Sequence, residues 1–441
     1  MELMTKQGYK QTKVGLIPED WKLESTVEVA KNKTGGIKIG PFGSALKKEL
    51  LTKQGYKVYG QENVFDNDVE IGDRYINKQH FQKLKSCKLN PGDFIVSMMG
   101  TIGQCMILPD NIQPGIMDSH LLRIKLDEKK VYPHYFEHIF SSVYTLNQIK
   151  KLSVGGIMDG LSSKIVKQIL YNLPPTLTEQ KAIATALSDV DELITNLGKL
   201  ITKKKAIKQG AMQQLLTGET RIKGYDNNIK TVDSIYGKIP IDWGIQSIGN
   251  VCKIFGRIGF RGYTVNDIVD EASGALSLSP SNIINNKINF KKGTFISWMK
   301  YHESPEIKIR KGDIVLVKTA SVGKTAIIEN LPHKITLNPQ LVVLKNVKID
   351  RYYLSYMMSY KIIQNQIITS VAGGVVPTLT QEQISGFTFP IPNSIQEQKA
   401  ISNTLSDMDT EITQLESKKE KYQAIKQGMM QELLTGKTRL I

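Results

Sequence analysis

Glu179-Gln-Lys-Ala-Ile183, Leu187-Ser-Asp189, Ala206-Ile-Lys-Gln-Gly210 and Leu215-Leu-Thr-Gly218 return in the same order as Glu397-Gln-Lys-Ala-Ile401, Leu405-Ser-Asp407, Ala424-Ile-Lys-Gln-Gly428 and Leu433-Leu-Thr-Gly436. The offset is 218 residues throughout (179 to 397, 215 to 433). About 26 of about 44 aligned positions are identical without a gap, too many for shared helical composition, so the chain is an internal repeat of two similar halves.

Within each copy the apolar residues are spaced alternately four and three apart. Ile183, Leu187, Val190, Ile194, Leu197 and Ile201 form the first seam; Ile401, Leu405, Met408, Ile412 and Leu415 form the second, which runs to Tyr422 with Lys419 between. That heptad spacing predicts two coiled-coil helices over 177–222 and 394–441, each capped by the glycine of Leu-Leu-Thr-Gly. At ~1.5 Å per residue, about 40 residues make a helix of roughly 60 Å. A parallel pair would force the segment from Gly218 to Trp243 to run back almost fully extended along the first helix. An antiparallel pair, with a globular domain near each end and a pseudo-two-fold between them, is therefore expected.

Ahead of each helix lies a longer, less similar segment, 15–176 and 237–393. Each opens on the same phrase, Gly15-Leu-Ile-Pro-Glu-Asp-Trp21 and Gly237-Lys-Ile-Pro-Ile-Asp-Trp243, in which Pro restrains the backbone and Trp supplies a large anchor. Strands are predicted at Lys57-Val-Tyr59, Phe94-Ile-Val-Ser97 and Leu121–Lys125, then a helix from Pro133 to Gln148 and a short one from Lys164 to Leu170. The second segment repeats the order with strands at Ile314–Val317 and Leu341–Leu344 and a helix from Arg351 to Gln364. Glycine pairs (155–156, 373–374) read as loops, and Asn172-Leu-Pro-Pro175 and Phe389-Pro-Ile-Pro392 as proline turns closing each domain. The expected fold class is α+β: two mixed domains separated by an antiparallel two-helix coiled coil.

Lys and Arg number 58 against 42 acidic residues, a net of +16, which points to a polyanionic partner and to nucleic acid before a membrane. Apolar runs fall far short of the ~20 residues that span a bilayer, and Met-Glu-Leu-Met-Thr-Lys does not begin as a secretory signal does. Cys87, Cys105 and Cys252 are scattered, giving no disulfide framework and no C-x-x-C metal site. A cytoplasmic protein is expected.

Catalytic patterns fail one by one. Ser321-Val-Gly-Lys-Thr325 resembles the end of a phosphate-binding loop, but Lys318 stands where its first glycine belongs. His134 and His138 are four apart without an H-E-x-x-H pattern, so no metal is expected. Asp66, Asp68, Glu70 and Asp73 read as a solvated acidic loop. What remains is polar and basic loops on a scaffold. Candidate DNA-binding residues are Lys38, Ser44, Gln61, Asn63, Thr101, Ser119 and His120 in the first domain. In the second they are Arg257, Arg261, Tyr263, Ser281, Asn282, Lys318, Ser321, Lys324, Asn338 and Gln340. Arg, Lys, Asn and Gln form paired hydrogen bonds with base edges, and Lys or Ser commonly holds phosphates.

Two variable domains, each followed by a near-identical helix carrying E-Q-K-A-I and L-L-T-G, resemble the DNA-specificity subunit of Type I restriction–modification systems. The resemblance covers essentially the whole chain, from Gly15 to Gly436. It implies that each variable domain is a target-recognition domain reading one half of a split double-stranded DNA site, and that the helices set the gap. It implies two methyltransferase subunits as partners, which use S-adenosylmethionine to methylate adenine, and a motor-nuclease subunit using ATP and Mg²⁺ where the system restricts. The chain itself would hold no catalytic centre, no cofactor and no metal. The alternatives are a non-catalytic basic scaffold and a stand-alone DNA methyltransferase or nuclease. Base-contacting residues vary with the target in this family, so the site list above rests on loop chemistry alone.

Overall fold

A computed structural model describes residues 8–32, 35–100, 103–153, 161–226, 230–291, 293–372 and 376–440. The glycine pairs at 155–156 and 373–374, and Thr101, lie outside the described residues. The chain divides into two compact units, Met1–Gly198 with Ser417–Ile441, and Lys199–Glu416. Each unit therefore takes one recognition segment and a portion of both long helices, whereas boundaries drawn from sequence assign every helix whole. Strands and helices mix in both, the α+β class.

In the first unit a four-stranded antiparallel sheet runs in the order Cys105–Ile107, Phe94–Ser97, Leu121–Ile124, Ile37–Ile39. Its two central strands, Ser97 and Arg123 apart, are apolar on both faces for a physical reason. Phe94, Val96, Leu122 and Ile124 face one core with Tyr135, Phe136 and Phe140, while Ile95 and Leu121 face another with Val58, Ile116 and Met117. A strand buried on both sides reads as a continuous apolar run rather than an alternation. The second core is closed by a five-stranded sheet in which Tyr56–Tyr59 and Gly115–Met117 pair in parallel. The face Tyr135, Phe136, Ile139, Phe140 is fully buried, as its spacing predicts. The predicted single helix is two, Pro133–Phe140 and Val143–Leu152. Ser142 breaks it, because its hydroxyl accepts the Thr145 N–H and caps the second piece.

The second unit repeats the design. Lys253–Gly256, Leu341–Lys345, Ile314–Val317 and Thr325–Ile327 form its four-stranded sheet, and Gly274–Leu278 pairs in parallel with Ile335–Leu337. Its helix also splits, into Arg351–Ser359 and Lys361–Val371. One addition is a hairpin, Ile283–Ile284 with Lys287–Ile288, turned by Asn285 and Asn286 at φ 50° and 59°. Lys287 Nζ donates to Thr413 Oγ1 at 3.0 Å and ties the hairpin to the second long helix.

The two proline-rich stretches differ. Leu170–Leu173 is a strand pairing with Lys22–Ser25, and Pro174-Pro175 bend the chain from it into the first long helix as expected, whereas Thr388–Pro392 is no turn but a strand pairing with Trp243–Ser247. That strand belongs to a two-stranded ribbon, where a proline lacking its N–H still has an unpaired side to face. The ribbons hold the Trp phrases beside the helix ends. Gly436, at φ +72°, leaves no room for a side chain: a Cβ there would lie 2.5 Å from Pro18 Cγ. Gly218 repeats this against Pro240 Cδ at 2.5 Å. Leu433 and Leu434 join Ile17 and Trp21 in one core, and Leu215 and Leu216 join Ile239 and Trp243 in the other. The two motifs repeated in sequence are thus the two halves of one packing joint.

The long helices are Leu177–Thr217 and Ile395–Leu433. They run antiparallel in each unit. In the first, Asp191 pairs with Lys426 at 2.6 Å and Gly198 makes room for Lys419. In the second, Lys204 pairs with Glu411 at 2.6 Å and Lys208 with Asp409 at 2.7 Å. The seam is not purely helix against helix, since Ile183 and Leu187 are buried within the domain core. Carboxylates near the helix starts are locked by arginines from beyond the opposite helix end. Arg439 grips Glu179 and Asp20, and Arg221 grips Glu397 and Asp242.

Candidate nucleic-acid interface

Strand register brings the loops chosen from sequence to one end of each unit. In the first, Ile39 is opposite Leu122 and Ser97 is opposite Leu121, so the loops after 39 and 97 and the loop before 121 emerge together. Backbone bonds fasten them: Gly40 N–H to Leu121 O at 3.0 Å, Met98 N–H to His120 O at 2.9 Å, and Asp118 N–H to Tyr59 O at 2.9 Å. This end holds Lys38, exposed on an edge strand, with half-buried Ser119 and exposed His120. Gln61 is half-buried and accepts the Ser97 hydroxyl at 2.7 Å. Ser44 lies in the adjoining one-turn helix Gly43–Leu46.

In the second unit Gly256 is opposite Val342 and Val317 is opposite Leu341, and the same three loops emerge. Lys318 N–H bonds Gln340 O at 2.8 Å and Asn338 N–H bonds Leu278 O at 2.9 Å, the same fastenings 220 residues on. Ser281, Ser321 and Lys324 are exposed here, and Lys318, Arg261, Tyr263 and Gln340 half-buried. Arg261 reaches Glu306 at 3.6 Å, and the Tyr263 hydroxyl accepts from Ser277 at 3.0 Å.

Four candidates hold the scaffold rather than face solvent. Asn63 is fully buried: its Oδ1 accepts the Gly60 N–H at 2.9 Å and its amide donates to Asp68 O and Ile71 O. Asn282, its counterpart, accepts the Ser279 N–H at 3.0 Å and donates to Asn289 O at 3.0 Å. Asn338, 9% exposed, accepts the Gln340 N–H at 2.9 Å. Arg257, 5% exposed, donates to Leu337 O, Thr336 Oγ1 and Arg261 O, stacks 5.5 Å from the Tyr263 ring, and has its pKa lowered by burial. The side chain that would pair with a base is in each case already occupied, so these four are withdrawn as base readers.

Sequence reasoning passed over Arg74. Its guanidinium bridges Glu62 at 2.6 Å and Asp118 at 3.1 Å at this end of the first unit. Burial works against its charge, and the two carboxylates outweigh it. A lone arginine after an acidic run carries no sequence signal; only the fold places it beside Asp118. The loop 38–44 is chosen from sequence for its polar residues, and its Phe42, 67% exposed, is not among them.

The two ends differ in chemistry. Met98 occupies the place of Lys318, and the residue after the matched strand is Gly40 in one unit and Arg257 in the other. A Cβ at Gly40 would lie 1.7 Å from Asp118 O, so no arginine fits there. His138 and His134 form no ligand pair: His138 Nε2 meets Ser188 at 3.1 Å and His134 meets Glu137 at 3.3 Å. Among the described residues, no group of three or more His, Cys, Asp or Glu could hold a metal ion, and no helix is long and apolar enough to cross a membrane.

A family model described as the Type I restriction modification DNA specificity domain matches residues 18–209 and again 240–427. The Type I restriction enzyme MjaVIII specificity subunit of Methanocaldococcus jannaschii is 24% identical over 100% of this chain and 98% of its own. Two solved structures share the fold. One is the Type I restriction–modification S subunit from M. genitalium (TM-score 0.54, 15% identity, 94% of this chain and 96% of that one). The other comes from work on complex assembly and conformational transition of the Type I restriction–modification system (TM-score 0.56, 15% identity, 96% and 99%).

Proposed function

Because this chain belongs to the Type I restriction–modification DNA specificity family, we propose that its two loop ends read the two halves of a bipartite site in double-stranded DNA. As a specificity subunit it is the non-catalytic, DNA-recognising component of its complex. One observation carries the bipartite reading. The same three loops are built twice on one skeleton, with two of their backbone fastenings repeated and different side chains at the tip. Two copies of a scaffold with different side chains at the tip suit two readers of two sequences. Exposed lysines, Lys38 in one unit and Lys324 in the other, would hold phosphates and set register, and the polar tips would meet base edges.

The long helices carry the rest of the proposal. Each contributes residues to both units. They would make the half-site gap a geometric constant, as dimer spacing does in other DNA readers. Methyltransferase subunits docked along them would receive the target adenine once it leaves the base stack. S-adenosylmethionine would belong to those subunits, and ATP and Mg²⁺ to a motor-nuclease subunit where the complex restricts. DNA in the cytoplasm would be the substrate. Inserting one heptad into both helices tests the arrangement. The assembled complex is expected to methylate the same half-sites at a longer gap. New half-sites at the old gap would contradict it.

A further inference from the structure

The loop end of the first unit is apolar where that of the second is cationic. Phe42 is 67% exposed and Met99 39%. Phe65, 43% exposed, lies beside Gly100, 3.4 Å from where its Cβ would be. Phe42 and Met99 stand at an open cavity of about 570 Å³ with Ile39, Met98, Leu161 and Ile165 in its wall and Ser119 and His120 beside them. A single exposed apolar side chain needs no explanation, but a concave apolar cluster on a face that otherwise bears Lys38 and His120 does.

Duplex DNA offers such a cluster one matching group. Every base presents hydrogen-bonding groups in the major groove, and thymine adds to its O4 acceptor an apolar 5-methyl that projects into the groove. We propose that the first unit recognises thymine by seating its 5-methyl group against Phe42 and Met99, with Ser119 and His120 available to the polar edges beside it. The proposal rests on the assignment of this end to DNA and adds which base it selects. It also predicts asymmetry. In the second unit Thr319 stands in the place of Met99 and Lys318 in that of Met98, so this methyl recognition belongs to one half-site only.

The test replaces each thymine of the mapped target, one at a time, by dU, which removes only the methyl. Binding is measured with the specificity chain assembled with its methyltransferase partners. Burying one methyl is worth a factor of about four in affinity. A loss of that size is expected at one or two thymines of one half-site and at none of the other. Phe42→Ala should abolish the difference between thymine and dU there, and Phe42→Leu, which keeps an apolar contact, should retain part of it. The proposal is overturned if the wild-type complex binds its target tightly yet ignores every removed methyl. It is also overturned if Phe42→Ala leaves the methyl sensitivity intact, or if 2-aminopurine fluorescence shows Phe42 unstacking a base step without methyl dependence. A wild-type complex unable to tell its target from unrelated duplex would instead overturn the DNA assignment itself.

Discussion

The two loop ends share a backbone and part company in their side chains. Gly100 and Ala320 hold the same left-handed position, at φ 77° and 65°, and Gly103 and Gly323 do so at 90° and 93°. Asp118 and Asn338 each accept the N–H two residues on, from His120 and from Gln340. Against this sameness stand Met98 and Lys318. Segment 15–176 carries 21 Lys and Arg against 17 Asp and Glu, and segment 237–393 carries 18 against 10. The difference teaches that hydrogen bonds within the loops fix the shape of a reader. The chemistry at its tip is then free to change.

The joints below those ends are matched as well, and the largest expected effect breaks that match. Glu397 is 2% exposed and Arg221 8%, whereas Arg439 of the corresponding pair is 24% exposed. Glu397→Ala leaves the buried Arg221 guanidinium with the exposed Asp242 as its carboxylate partner and should destabilise the second unit by about 2 kcal/mol. Glu179→Ala should cost the first unit less, because water reaches Arg439. Hydrogen exchange resolved by unit would show the ranking, and equal losses would dissolve the distinction.

Charge comes next. Removing both Lys318 and Lys324 should weaken DNA binding by the assembled complex about tenfold and reduce its salt slope by roughly 1 to 2. Replacing Met98 and Met99 by alanine should leave that slope unchanged. A smaller contrast lies in the backbone. Ala320→Gly should stabilise its unit by about 1 kcal/mol by relieving a left-handed alanine, and Gly100→Ala should cost about as much. Urea unfolding of both variants checks the pair.

The smallest effect is a pH dependence private to the first unit. His138 is packed among Ser188, Asp191, Lys426, Glu137 and His134; burial first, then Lys426, lower its pKa against the pull of Asp191 and Glu137. Held neutral in the fold, it gives stability that is full above the ordinary histidine range near 6.5. That stability is lost as pH falls toward the lowered value. The second unit has Tyr356 beside Asp409 in the equivalent place, bonded at 2.8 Å. His138 should therefore lower the stability of the first unit, read by its melting, between pH 7.5 and 5.5 by under about 1 kcal/mol, against a smaller gain from His134, whose pKa the hydrogen bond with Glu137 raises, and His138→Gln should remove the His138 contribution.

Much of this was legible in the sequence because a duplication displays its own skeleton. The heptads, the Trp phrases, the glycine caps and the main strands all declared themselves twice. Phe389-Pro-Ile-Pro392 misled because proline marks turns in general, as at Pro174-Pro175, while a two-stranded ribbon also accepts it. Asn63, Asn282, Asn338 and Arg257 misled because the donors and acceptors that pair with bases also pair with backbone. Only burial tells the two uses apart. Arg74 was illegible for the opposite reason: nothing in its local sequence marks it, and the fold alone brings it to the tip; Phe42 lies in a loop chosen from sequence, but an aromatic there does not announce that it is exposed.

The central claim is that one chain carries two different readers held at a set distance. Mapping N6-methyladenine across the genome of cells that carry the complete complex tests it most directly. The account predicts a motif of two short, unlike half-sites separated by an invariant number of unspecified bases. A continuous motif, two identical half-sites or a variable gap would contradict it.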